Sequence, residues 1–228
     1  MTCLINGCSF SAAWKPDSDF LKHFSQKDFL NISKTGASFK RSARTTMEWV
    51  AQNGKPGLVI LPITYAHRFE MAVSNSDDAL DGAWFPMQRS ELIDQNKIHD
   101  SISADKLKTM LDLYYGSVAD VRHFWETLFS DIITLSAWLE KQSIPYIMFD
   151  MCNDFSKEHI QNLKGIARLK YIYQNKNIID LFSFCGNKIM WESLDEKIRS
   201  KVDSIAYHHA NKQFRVLENY IIKSLTKV

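Results

Sequence analysis

A chain of 228 residues, 45% of them hydrophobic and 12% aromatic, has enough apolar surface to fold without disulfides or a structural metal, which excludes an intrinsically disordered chain and fits one α/β domain over 1–228. Its 28 basic against 26 acidic residues leave a formal charge of +2. That field is too weak to draw a polyanion, so nucleic acid is not an expected partner.

The first apolar run, 2–6, reads as a buried strand, and a second follows at 29–33. The densest basic stretch, Lys40-Arg41-Ser42-Ala43-Arg44, reads as a solvated helix start rather than a phosphate track. That helix covers 42–53, capped by Ser42. It stops at Asn53-Gly54 before Pro56 and feeds a third strand at 58–63. Over 72–103 the pattern dissolves into Asp-rich and Ser-rich sequence around Trp84-Phe85-Pro86, too long for an ordinary connection. A lid and an irregular surface insertion both account for it.

A helix over 117–141 carries Val118, Val121, Trp125, Leu128, Ile132, Leu135 and Leu139 at spacings of three and four. It either lies across a sheet or forms the coiled-coil seam of a homodimer. A fourth strand at 144–150 follows, and the last helix presents Phe214, Leu217, Ile221 and Leu225 as a stripe that docks on the sheet. Strand, helix, strand in this rhythm implies a central, mostly parallel sheet with right-handed crossovers.

Cysteines at 3, 8, 152 and 185 show no Cys-x-x-Cys spacing, so neither a zinc site nor a disulfide framework is expected. The first residues lack the basic and apolar regions of a signal peptide, and no window reaches the length of a membrane span. The expectation is a soluble cytoplasmic protein with reduced thiols, no metal, no cofactor and no membrane partner.

Chemistry concentrates at the two ends of the chain. Gly7-Cys8-Ser9 follows the first strand, so Ser9 falls at a carboxyl strand end, where open α/β sheets bind ligands. A serine there is also a common helix cap. His208-His209 precede the last helix. A serine hydroxyl meeting an imidazole is the minimum for nucleophilic acyl transfer, and a histidine pair that merely caps a helix is the plainer account. Asp150 suits a pocket residue or a cap, whereas Asn153-Asp154 comes after the fourth strand. A phosphate loop at residues 7–11 would imply a nucleotide binder, but the Gly-rich fingerprint is missing.

Ile5-Asn6-Gly7-Cys8-Ser9-Phe10-Ser11 resembles the first block of the SGNH (GDSL-like) hydrolases, especially their divergent, phage-type members. The resemblance implies a three-layer flavodoxin-like fold, with Ser9 as nucleophile and Cys8 as a packed thiol. Gly36-Ala37-Ser38-Phe39 resembles the second block, whose glycine N–H holds the oxyanion, which gives that role to Gly36. The third block's Asn is missing from Thr64-Tyr65-Ala66-His67-Arg68-Phe69-Glu70. Thr64 or Arg68 would supply the missing polar contact, or Arg68 and Glu70 would form a structural ion pair.

Ala206-Tyr207-His208-His209 resembles the last block, Asp-x-x-His, with His209 as base and His208 beside it or in its place. Ala206 occupies the position of the acid. The nearest upstream carboxylate, Asp203, is six residues before His209 and needs a longer loop to reach Nδ1. The implied substrate is a small-molecule ester or acylated sugar. A catalytically inactive scaffold that binds a ligand or protein partner is the alternative.

Overall fold

The structure, a computed structural model, describes residues 2–12, 29–72, 84–87, 103–150 and 169–180. Five short strands form one parallel sheet: β1 (Cys3–Ile5), β2 (Phe29–Asn31), β3 (Leu58–Ile63), β6 (Tyr146–Asp150) and β7 (Ile178–Asp180), in the order β2-β1-β3-β6-β7. This is the doubly wound order of flavodoxin-like folds, with the strand sequence reversing direction between β1 and β3. The ladder is in register: Leu4 lies between Leu30 and Val59, and Ile60 pairs with Ile147.

Both faces of the inner strands β1 and β3 are buried, as a parallel sheet requires, while the edge strand β2 is partly exposed at Leu30. Leu4, Val59, Leu61, Ile63 and Met148 point into one apolar cluster, while Cys3, Ile5, Ile60 and Phe149 are equally inaccessible on the other side. The first cluster is closed by α2 (Phe39–Asn53) through Phe39, Ala43 and Val50, and by α4 (Val121–Lys141) through Trp125, Leu128, Phe129, Ile132, Leu135 and Leu139. The apolar stripe of α4 is therefore spent within the chain's own core. Ile172 of α5 (Leu169–Gln174) completes it.

Helix α2 begins three residues before the expected Ser42, because Ser38 is extended and its Oγ accepts from Arg41 N at 3.1 Å. The end falls where expected: Gly54 takes a φ of 86° and its N–H donates to Val50 O at 2.9 Å. Residues 40–44 are not a solvated face, since Arg41 is buried and Arg44 pairs with a buried carboxylate. At the other long helix, Asp120 caps α4 by accepting from Arg122 N, so the helix starts after Val118, which is 65% exposed and outside the stripe.

The stretch 72–103, read as patternless, holds one described strand, and elements that were not expected flank it on both sides. Strand β4 (Phe69–Ala72) pairs antiparallel with β5 (Trp84–Met87), and α3 (Ala104–Leu113) starts at the N-cap Ser103. Leu107 and Leu111 of α3 pack with Phe69, Met71 and Tyr115 in a second, small cluster. A π turn, Tyr114–Val118, joins α3 to the residues that precede α4. The expected terminal helix around Phe214 to Leu225 lies outside the described residues.

Candidate active site

The reversal of strand order opens a crevice outside the carboxyl ends of β1 and β3, the usual ligand position in such sheets. Ser9 is the first residue of the short helix α1 (Ser9–Ala12), four residues past the end of β1, and Thr64 directly follows β3. The two therefore flank the crevice.

The turn that carries Ser9 is held from three sides. A Cβ on Gly7 would collide with Ser11 Oγ and stand 3.1 Å from the Pro62 ring, so a side chain there would displace the Ser11 hydroxyl and press on β3. Ser11 Oγ shares a 2.9 Å hydrogen bond with Ser33 Oγ, and Asn31 Nδ2 donates to Ser11 O at 2.6 Å. Lys34 N donates to Gly7 O at 3.1 Å. That bond ties the first loop to the turn 34–37, which Ala37 N closes on Lys34 O at 3.1 Å. Gly36 occupies the third position of this turn with a φ of 81°, which a side chain would strain. The nucleophile candidate and the glycine candidate are thus adjacent by a backbone bond between their loops.

Beneath them lies a buried polar latch. Asn6 Nδ2 donates to Ser42 O, Thr45 Oγ1 and Thr46 Oγ1 at 2.9, 2.7 and 3.0 Å, and its Oδ1 accepts from Arg41 Nη1 at 3.2 Å. Arg41 Nη1 also donates to Ile32 O at 3.1 Å. The first half of α2 is thereby fixed to the ends of both β1 and β2. Asn6 passes in the sequence as the tail of an apolar strand. A polar residue closing a wholly buried run must find partners, and that was the available signal.

After β3, Arg68 Nη1 donates to Thr64 Oγ1 at 3.0 Å and the guanidinium lies 5.0 Å over the Tyr65 ring. Arg68 and Glu70 do not form the expected ion pair. Arg68 turns to Thr64 and Tyr65, and Glu70, with its side chain 1% exposed, takes Arg44 instead at 2.8 Å. Arg68 Nε is buried without a hydrogen-bond partner. Tyr65 stacks on His67, whose carbonyl accepts from Tyr115 Oη at 2.7 Å.

A cleft of about 30 Å³ opens between these residues and the helices, lined by Phe39, Lys40, Tyr65, Arg68, Phe69 and Asp131, among others. Burial pushes the Asp131 carboxyl up to about 6; Lys40 pulls it down and Glu70 pushes it further up. Asp131 is a second residue the sequence reading passed over. It sits between Phe129 and Ile132, at the rim of the α4 stripe, where a carboxylate is half taken from water.

His209, His208 and Asp203 lie outside the described residues, as do Cys152 and Cys185. Cys8 is buried, as a packed thiol should be, and burial pushes the Cys3 thiol up to about 12, which makes it a poor nucleophile. Among the described residues no cluster of His, Cys, Asp and Glu could hold a metal ion, and no helix is long and apolar enough to cross a membrane.

No protein-family model matches the chain, and no curated protein matches it. Among solved structures the chain is similar to one from Bacteroides fragilis, described as a proposed acylhydrolase, with 16% identity and a TM-score of 0.51 over 99% of this chain and 86% of that one. At such identity the likeness speaks for the α/β fold.

Proposed function

We propose that the chain is a serine hydrolase of the SGNH (GDSL-like) type that cleaves a small-molecule ester, an acylated sugar being the favoured class. The observation that carries this reading is the position of Ser9 at the reversal point of the sheet, on a loop bonded to the Gly36 turn. The fold likeness to a protein described as a proposed acylhydrolase supports it.

In the proposed reaction His209 takes the proton of Ser9 Oγ as the oxygen attacks the ester carbonyl. The N–H groups of Ser9 and Gly36 hold the oxyanion, with Thr64 and Arg68 on the substrate side and His208 beside the base. The tetrahedral intermediate expels the alcohol, which takes the proton from His209, and water then releases the acid by the same steps. Asp203 orients His209. The reaction uses no metal or organic cofactor.

Fluorophosphonate labelling and p-nitrophenyl acetate turnover test the proposal together. Ser9→Ala is expected to abolish both, and His209→Ala to lower turnover at least about 1,000-fold. Equal turnover in wild type and Ser9→Ala would remove Ser9 from the mechanism. The second reading is an inactive scaffold that binds a ligand or partner in the same crevice, favoured by Ala206 in the place of the usual acid and by the missing third-block Asn. It predicts no labelling in the wild type.

A further inference from the structure

We propose that the cleft between α2, the β3–β4 connection and α4 is a subsite for a vicinal diol, with one hydroxyl donating to Asp131 and its neighbour accepting from Arg68. The identity of the occupant as the alcohol part of the ester rests on the hydrolase reading; the site itself rests on the cleft.

Three observations carry it. Arg68 lines the cleft with Nη1 hydrogen-bonded to Thr64 and with a buried Nε that has no acceptor, so its guanidinium is not fully satisfied within the described residues. Asp131 lines the same cleft, half-buried and without a hydrogen bond to the described residues, so its carboxylate can accept from a ligand hydroxyl in place of water. Phe39, Tyr65 and Phe69 give the lining an apolar part that suits the C–H groups beside the two hydroxyls.

The donor and acceptor character decides the ligand class. A carboxylate or phosphate would be drawn by the charges of Arg68 and Lys40 but repelled by Asp131, whereas a cation would be drawn by Asp131 and repelled by the two bases. A hydroxyl both donates and accepts, and so answers each wall. The space, about 30 Å³, holds about two water-sized groups. That matches two adjacent hydroxyls at the edge of a ring rather than a whole sugar. Tyr65, two residues past the end of β3, lines the cleft and so sets it on the carboxyl side of that strand.

The test is an NMR titration of the full chain with methyl glucoside, with cyclohexanol as the monohydric control and acetate as the anion. Methyl glucoside is expected to shift signals of the 64–70 and 127–131 segments. Its affinity should fall about tenfold or more in Asp131→Ala and by less in Asp131→Asn, which keeps the shape and loses the charge. Thermal melts of both variants verify the fold, and the Asn variant keeps the test usable if the Ala variant unfolds. Equal affinity in wild type and Asp131→Asn and Asp131→Ala, or tighter binding of acetate or cyclohexanol than of methyl glucoside, would overturn the subsite. Fluorophosphonate labelling of the same sample separates the two claims. Glucoside binding without labelling leaves the subsite standing and removes the hydrolase reading, while labelling without glucoside binding does the reverse.

Discussion

At the scale of single residues, Asn6 does more to shape the candidate site than any residue of the motif around it. Its amide joins the end of β1 to Ser42, Thr45 and Thr46 and accepts from Arg41, all within the protein interior. Asn6→Ala removes these bonds and leaves buried hydroxyls and a guanidinium short of a partner. The expected loss is about 2–3 kcal/mol, read from the urea midpoint; a change within about 0.5 kcal/mol would mean water replaces the amide. Asp131 makes the opposite kind of demand. Its carboxyl titrates near 6 in the folded protein against an ordinary value of 3.8. The folded state therefore holds this proton more tightly, and the stability it contributes is full below about pH 3.8 and is lost as pH rises through about 6. Asp131→Asn should match wild type near pH 4 and exceed it at pH 8 by about 1–2 kcal/mol, a figure reduced for the partial exposure of the group. A stability difference independent of pH would sink this assignment.

At the scale of elements, the pair that locks α2 to β4 is Arg44 with Glu70. Arg44→Ala strands a carboxylate whose side chain is 1% exposed and is expected to cost about 3 kcal/mol. Glu70→Gln in the Arg44→Ala background should recover much of that loss; if denaturation midpoints show the two changes to be additive, the pair is not coupled. The same elements show what the sequence disclosed. Strand β3 was legible to the residue because six consecutive buried positions leave no other reading. The start of α2 was not, since Ser38 and Ser42 are both acceptable caps and only the extended backbone at Ser38 decides between them. Strands β4 and β5 were hidden for a different reason: a two-stranded pair has weak alternation, and Phe69 and Met71 of β4 take their place from α3 packed against them. In the candidate site, the places of Ser9, Gly36 and Thr64 after strands were legible because the apolar runs that precede them are. Asn6 and Asp131 were not, because their roles depend on residues about 40 positions away in one case and on a helix rim in the other.

At the scale of the molecule, β1 lies between β2 and β3 with each of its three residues fully buried, and no part of it is reachable unless the sheet parts. Cys3 lies in that strand with its thiol held near 12 and its side chain sealed from solvent. It is therefore an internal clock. In iodoacetamide at pH 8 the Cys3 peptide should acquire its adduct only when the whole sheet opens, at a rate that rises with urea along the global unfolding curve. Rapid modification in native buffer would mean that β1 frays on its own. The same inert thiol means that alkylation of the native protein can serve as a background against which a reactive serine is identified peptide by peptide.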